Sequence, residues 1–240
     1  MSAPAATAVL APPALLAVSH GTSSPAGQAA VANLVAAVTG TRPDVAVHEG
    51  FVDVQQPDVP SVLGALPAGR PSVIVPLLLS AGYHVHVDLA DMAGATGATV
   101  AAALGPDDRL VRLLARRLDE AGLTTGDVVV LAAAGSSDPR AVADCIETAR
   151  RLGTVLDRPV SVGFISAALP RLADEIETAR AAHPGRRIVV ASYLLAPGYF
   201  AGLAARAGGD VTSAPLLAPD APAPAELVEL VLDRFAAAHS

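Results

Sequence analysis

The sequence predicts an α/β protein made of two similar halves, each with a parallel sheet covered by helices on both faces. Short runs rich in Val, Leu and Ile alternate with longer stretches that contain Ala and Arg, which is the rhythm of β-α units. The apolar runs are nearly continuous, as in strands that are buried on both faces. The second half of the chain also repeats the landmarks of the first.

Four apolar runs of the first half are predicted to be strands, and the stretches that separate or follow them are predicted to be helices. The predicted strands are Ala14–Ser19, Val45–Phe51, Ser72–Leu78 and Thr99–Ala103. The predicted helices are Ala26–Val38, Val59–Leu66, His86–Ala93 and Asp107–Ala121. Each half should therefore hold four strands.

Four landmarks recur in the same order at offsets of 113 to 116 residues, which indicates a duplicated domain. The motif SHGTSSP matches AAGSSDP, so that His20 falls on Ala134. The GYH of the first half matches GYF, so that His84 falls on Phe200. We expect one half over residues 1–122, which carries the histidines, and a second over residues 123–240, which lacks them.

Composition excludes several classes of protein. The net charge of −7 disfavours a nucleic-acid partner, whose phosphates would be repelled. The single cysteine, Cys145, rules out an intramolecular disulfide and a site built from several cysteines. The amino terminus has no Lys or Arg before its apolar run, and no apolar run reaches about 18 residues, so neither a secretory signal nor a membrane span is expected. The expectation is a cytoplasmic protein.

His20 and His84 each follow an apolar strand of the first half. If each sheet has the order 2-1-3-4, strands one and three are neighbours, and both imidazoles lie at the carboxyl edge where parallel sheets bind ligands. Fold requirements apply to both halves, so histidines kept in only one half favour a functional role. Two neutral imidazoles suit Fe, Co, Ni or Zn. His86 could be a third ligand or could face solvent.

Carboxylates near strand two add a further candidate. Glu49 lies within the strand, and Asp53 follows its end, where it could act as a base or a transient metal ligand. The counterpart of Asp53 in the second half is Ser166, so this charge is also missing from the duplicate. A solvated loop acid is an equal alternative for Asp53.

The SHGTSS loop allows other interpretations. Its glycine and hydroxyls could bind an anion before a helix, but GxGxxG and GxxxxGK[ST] are both absent. Gly21 and Gly82 would let the backbone turn sharply beside a ligand. The hydroxyls of Thr22, Ser23 and Ser24 could bind carboxylates, and one of them could equally cap the helix.

The motifs SHGTSSP, GFVDVQQP and VPLLLSAGYHVHVDL, which follow or end strands one, two and three, resemble those of the sirohydrochlorin chelatases. These are class II tetrapyrrole chelatases of siroheme and cobalamin biosynthesis. The resemblance covers nearly the whole chain and implies two flavodoxin-like halves that face each other across a cleft. It also implies insertion of Fe²⁺, Co²⁺ or, as in some archaeal relatives, Ni²⁺ into a sirohydrochlorin-type macrocycle.

The resemblance also implies roles for individual residues. His20 and His84 match the metal-binding and catalytic pair of the family. Asp53 stands where relatives usually carry Glu, which makes it a further catalytic candidate. The residues beside the histidines are predicted to contact the tetrapyrrole, namely Ser19, Gly21, Thr22, Gly82 and Tyr83. Five arginines are unranked candidates for binding its carboxylates, namely Arg42, Arg70, Arg109, Arg112 and Arg206.

The expected partners follow from this chemistry. The tetrapyrrole and the divalent metal are both substrates, and no permanently bound cofactor is expected. The protein is expected to act as a monomer or homodimer, without nucleic acid or membrane. The alternatives are a non-catalytic carrier of metal or tetrapyrrole, a structural protein with a decayed site, and a chelatase for protoporphyrin.

Overall fold

The first half of the chain folds into a four-stranded parallel sheet with helices on both faces. The computed structural model describes residues 12–80, 82–94 and 96–239, and for residues 83–88 it describes the backbone only. The strands are β1 (Ala14–Ser19), β2 (Val47–Phe51), β3 (Ser72–Pro76) and β4 (Thr99–Val100). The helices are α1 (Pro25–Thr41), α2 (Val59–Ala65), α3 (Tyr83–Gly94) and α4 (Asp108–Glu120). The sheet order is β2-β1-β3-β4, which confirms the predicted order.

The second half repeats this architecture, which confirms the predicted duplication of the fold. Its strands are β5 (Val128–Ala133), β6 (Val160–Phe164), β7 (Ile188–Tyr193) and β8 (Val211–Thr212), in the order β6-β5-β7-β8. Its helices are α5 (Pro139–Leu156), α6 (Leu172–Ala182), α7 (Tyr199–Ala205) and α8 (Ala225–Ala238). None of the helices in the described ranges combines the length and hydropathy that crossing a bilayer requires.

Some elements differ in length from the prediction. Strands β2 and β3 are each two residues shorter than predicted, and β4 ends at Val100 rather than Ala103. Strand β4 is short because it pairs with β3 at only two positions, after which the Ala101 N–H donates to the Ile74 carbonyl. Helix α3 begins at Tyr83, three residues before the predicted start, which places His84 in its first turn.

Alternate residues of the central strands enter two different cores, as the two-residue repeat of a strand requires. In β1, Leu16 and its neighbours on one face pack with α2 and α3 in a core private to the first half. A matching private core of the second half lies between its sheet and helices α6 and α7. Leu15 and Ala17 face the other way, into a core that also contains Leu131 and Ala133 of β5. One continuous core therefore joins the two sheets.

The last helix of each half packs against the other half. Helix α4 contacts α5 and β7, whereas α8 contacts α1 and β3, and the two helices also touch each other. Arg234 of α8 donates to the carbonyls of Ala103 and Leu104, at 2.8 and 2.9 Å. We propose that the boundary between the duplicated halves lies between residues 122 and 123. Packing crosses this boundary in both directions.

Arginines of the second half hold the linker that joins the halves. Arg187 donates to both carboxylate oxygens of the buried Asp127, at 3.0 and 2.6 Å, and the Thr124 N–H donates to one of them at 2.6 Å. Arg158 and Arg186 donate to linker carbonyls. The Arg187 guanidinium therefore holds the pKa of the Asp127 carboxyl well below its ordinary value of 3.8.

We expect Asp127→Asn to lower the free energy of unfolding at pH 7 by about 2 kcal/mol, because the buried carboxylate loses its charge-assisted hydrogen bonds, including those from the partly exposed Arg187. A lowered pKa in the folded state adds stability above the ordinary value of 3.8, and this stability is lost as the pH falls below it. Urea unfolding at pH 7 and at about pH 3 should show the difference between wild type and variant shrinking in acid. Asp119→Asn, on the exposed surface of α4, is the control and should change little. A pH-independent difference would contradict this account.

Candidate active site

Four loops, each following the carboxyl end of a central strand, meet between the two halves. The loop after β1 lies against the loop after β7, where the Cβ position of Gly198 is 3.3 Å from Thr22 Oγ1. The first turn of α1 is equally close, because a Cβ added at Gly27 would overlap the Pro197 carbonyl oxygen. The loop after β3 lies against the loop after β5, where the Cβ position of Gly82 is 3.7 Å from the Ser136 hydroxyl. These contacts place both histidine-bearing segments of the first half at the boundary with the second half.

His20 follows β1 directly, and its side chain is exposed. Its carbonyl accepts a hydrogen bond from the Asp53 N–H at 3.0 Å, and the carbonyl of the buried Ser19 accepts one from the Val52 N–H at 3.0 Å. The next residue, Gly21, has φ +92°, and a Cβ there would overlap the Asp53 carbonyl oxygen. The loops after β1 and β2 are therefore joined by backbone contacts that only glycine permits.

Thr22 is held from two sides. Its N–H donates to Gln55 Oε1 at 2.9 Å, and its carbonyl accepts from Gln28 Nε2 at 2.8 Å. Its hydroxyl accepts from the Ser24 N–H at 3.1 Å, and Ser24 Oγ caps α1 by accepting from the Gly27 N–H at 3.3 Å. The capping alternative considered for these hydroxyls thus applies to Ser24, and Gln55 is a supporting residue that the sequence did not single out.

The segment before His84 is clamped by the second half. The buried Tyr193 hydroxyl of β7 donates to the Leu79 carbonyl at 2.7 Å, and the Cys145 thiol of α5 hydrogen-bonds with the Ser80 hydroxyl. Burial raises the pKa of this thiol to about 11, so it remains protonated and inert. The side chains of Tyr83, His84 and His86 lie outside the described residues.

We expect Tyr193→Phe to lower the free energy of unfolding by about 1 kcal/mol and the turnover number about 3- to 10-fold, because the Leu79 carbonyl loses its donor and the following loop loosens. Thermal unfolding would measure the first effect, and an assay of the metal insertion that the family resemblance implies would measure the second. Thr148→Val is the matched control. It removes a buried hydroxyl that lies 3.4 Å from the Tyr193 oxygen, and this hydroxyl has no hydrogen bond to the loop. If Tyr193→Phe lost stability but kept its turnover number, the hydrogen bond to Leu79 would have only a structural role.

Asp53 lies beside His20 through the backbone, and its own side chain is exposed. Its Oδ1 accepts from the Val54 N–H at 2.7 Å. Val54 has φ +65° and is 58% exposed, a costly combination for a β-branched residue. Glu49 lies two residues before the end of β2, where burial raises the pKa of its carboxyl. The loop therefore brings one solvated carboxylate close to the His20 backbone.

The candidate arginines differ in position. Arg42 and Arg70 lie at the amino edge of the first sheet, away from the loops described above, and Arg42 pairs with Asp44. Arg109 is bound to Asp107 and Asp233, so its charge is already neutralised. Arg112 is exposed on α4. Arg206 ends α7, and its guanidinium folds back over Gly202, toward the first turn of that helix.

Among the residues whose side chains are described, no group of three or more His, Cys, Asp or Glu could hold a metal ion. Among the described side chains, the imidazole of His20 lies at the boundary of the halves. Tyr199 and Phe200, in the first turn of α7, are exposed aromatic residues that sequence reasoning passed over. The signal for them in the sequence is the alignment of GYF with GYH, which places Tyr199 and Phe200 at the positions of Tyr83 and His84.

Three solved structures share this fold. SirB from Bacillus subtilis with Fe³⁺ is 19% identical, with a TM-score of 0.73 over 95% of this chain and 96% of its own. The sirohydrochlorin chelatase SirB from Bacillus subtilis subspecies spizizenii, in complex with cobalt, is 19% identical, with a TM-score of 0.67 over 94% of each chain. CbiX, the terminal enzyme for biosynthesis of siroheme in denitrifying bacteria, is 19% identical, with a TM-score of 0.65 over 95% of this chain and 100% of its own.

The sequence was also compared with protein families and with curated proteins. A search of the curated proteins finds no significant match. The profile of the CbiX family matches residues 14–121 and 128–202, which span most of both halves and include both histidine motifs. The chain belongs to the CbiX family.

Proposed function

We propose that this protein is a sirohydrochlorin chelatase, which inserts Fe²⁺ or Co²⁺ into a sirohydrochlorin-type tetrapyrrole in siroheme or cobalamin biosynthesis. The observation that carries the proposal is the position of SHG and GYH. They follow neighbouring strands β1 and β3 and lie against loops of the second half. Membership of the CbiX family and the shared fold with SirB structures bound to iron and cobalt support it.

Metal insertion joins a divalent ion to the four ring nitrogens and releases two protons from pyrrole N–H groups. In this proposal His20 and His84 hold the incoming ion, which lowers the cost of removing its water ligands. As the ion passes to the ring nitrogens, an imidazole that it leaves can accept a pyrrole proton near neutral pH. Asp53, exposed beside the His20 backbone, would then pass the proton to solvent or hold the ion transiently.

The loops that surround the histidines would receive the tetrapyrrole. Gly82 would let a flat ring approach the backbone beside His84, and Gly21 would hold the loop of His20 against the loop after β2. Thr22 and Tyr83 would flank the ring. Ser19 would act through its backbone, because its side chain is buried. Arg206 is the arginine best placed to pair with a carboxylate of the ring periphery. We further propose that the protein works in the cytoplasm, as a monomer or homodimer, with the metal as substrate.

An anaerobic absorbance assay tests this function. Sirohydrochlorin is mixed with Fe²⁺, Co²⁺ or Ni²⁺, with and without catalytic amounts of protein, and formation of the metallated ring is followed. We expect many turnovers per protein molecule with Fe²⁺ or Co²⁺. Binding of one equivalent of ring or metal without turnover would instead indicate a carrier, and no effect of the protein would contradict both functions.

A further inference from the structure

Two aromatic side chains are exposed side by side in a chain that contains few. The sequence has four Phe, three Tyr and no Trp. Phe51, Phe164, Tyr193 and Phe235 are all buried, at no more than 4% exposure. Tyr199 and Phe200 are 73% and 37% exposed. Adjacent exposed aromatic rings add little to folding and are typical of a binding surface.

Their place in the fold is the second-half equivalent of the segment that carries His84. The strand registers relate β3 to β7 by an offset of 116 residues. Leu15 of β1 pairs with Val73, and the residue equivalent to Leu15 in β5, Val129, pairs with Val189. Tyr199 and Phe200 thus correspond to Tyr83 and His84. Both pairs occupy the first turn of the helix that follows a central strand. Where the first half carries an imidazole, the second half carries an apolar ring.

The pair also lies next to the loop of His20. Gly198, which immediately precedes the pair, has its Cβ position 3.3 Å from Thr22 Oγ1 and 3.9 Å from Ser24 Cβ. Only Gly21 separates His20 from Thr22, so the aromatic pair and the imidazole border the same boundary between halves. They belong to opposite sides of it, because one follows β1 and the other follows β7.

We propose that Tyr199 and Phe200 bind one face of the tetrapyrrole macrocycle while the histidines act on it from the first half. This inference rests on the proposed chelatase function, and it assigns the second half a part in binding. The rings of the pair are 5.9 Å apart between centroids and inclined at 76°. A flat conjugated ring can then meet one of them face on and the other by its edge, the two favoured aromatic geometries.

The proposal explains why this surface stays exposed. The faces of a tetrapyrrole are apolar, and its carboxylates lie on the rim, so an apolar platform suits the face and a cation suits the rim. Arg206, one and a half turns along α7, has no carboxylate partner among the described residues and folds toward the platform. Covering one face also excludes water from the ring while metal approaches the other.

The test measures binding of metal-free sirohydrochlorin to Tyr199→Ala, Phe200→Ala and the double variant by the change in tetrapyrrole fluorescence. Burying an aromatic side chain ordinarily stabilises a complex by about 1.5–3 kcal/mol. Each single change should therefore raise the dissociation constant about tenfold or more. The double change should weaken it further and raise KM in the insertion assay. Calorimetric binding of Co²⁺ alone should be unchanged, because neither ring is a metal ligand.

The matched control is the double variant Ile146→Ala/Val155→Ala, which removes apolar side chains that are 53% and 55% exposed on α5. Its ring binding should equal that of the wild type. Equal thermal unfolding of all variants would show that the exposed rings do not hold the fold. Dissociation constants within twofold of wild type for the Tyr199 and Phe200 variants would overturn the inference. Absent turnover by the wild type would instead refute the chelatase function, while ring binding would still report on the platform.

Discussion

His20→Ala is expected to reduce the rate of metal insertion at least 100-fold while leaving the free energy of unfolding within about 0.5 kcal/mol of wild type. The side chain of His20 is exposed, and the structure holds this residue through its backbone. The equivalent loop of the second half forms with Ala134 in the same place, and its carbonyl accepts from the Ser166 N–H at 2.9 Å. The imidazole is therefore dispensable for the fold, and its removal should affect only the proposed chemistry.

The measurement is the initial rate of metallation with Co²⁺ and sirohydrochlorin, together with urea unfolding of the same preparation. His183→Ala is the matched control, because His183 is exposed at the end of α6 and should leave the rate unchanged. His84→Ala should match His20→Ala, and the double variant should be little worse than either, since residues that act as a unit are not additive. A His20→Ala enzyme within threefold of the wild-type rate would remove His20 from the site.

Gly21→Ala is expected to lower the free energy of unfolding by about 3 kcal/mol and to abolish metal insertion. Gly21 has φ +92°, which disfavours any residue with a Cβ, and that Cβ would overlap the Asp53 carbonyl oxygen. The chain can relieve the overlap only by separating the loops after β1 and β2. Because His20 accepts a hydrogen bond from the Asp53 N–H at 3.0 Å, the separation also moves the imidazole.

The duplicated half supplies the control for this prediction. Gly135 has φ +93°, and its added Cβ would overlap the Ser166 carbonyl oxygen in the same way. Gly135→Ala should therefore cost a similar amount of stability but retain more activity at a temperature where both variants are folded. Gly40→Ala, within α1 and with no atom within 4 Å of the added Cβ, should be neutral or slightly stabilising. Equal activity losses in Gly21→Ala and Gly135→Ala would contradict a local effect on His20.

Much of the fold could be predicted because the same sequence landmarks occur in both halves. The apolar runs marked the central strands, and the shared landmarks indicated one fold for both halves. The strand order 2-1-3-4 was assumed rather than derived from the sequence, and the structure has this order, with β1 beside β3. The length of the edge strand β4 was overestimated, because an apolar run does not reveal how many of its residues pair with a neighbouring strand.

Other features depend on packing that no local pattern encodes. The apolar stripe of α4, with Leu110, Leu113 and Leu114 buried, would fit either sheet, so its place against the second half could not be read from periodicity. The exposure of Tyr199 was equally invisible, because apolar residues in a repeated motif are ordinarily assumed to face the core. The contact of Tyr193 with Leu79 joins residues 114 positions apart in the chain.

The exchange of α4 and α8 limits how the protein can move. Rotating one half away from the other would pull each terminal helix off the sheet it covers and open a core that runs through both halves. Such a rotation would expose buried leucines at a large energetic cost, so we expect the loops after β1, β3, β5 and β7 to keep their relative positions. Any molecule that binds at these loops would therefore be admitted by local motion of side chains, because a hinge between the halves is blocked.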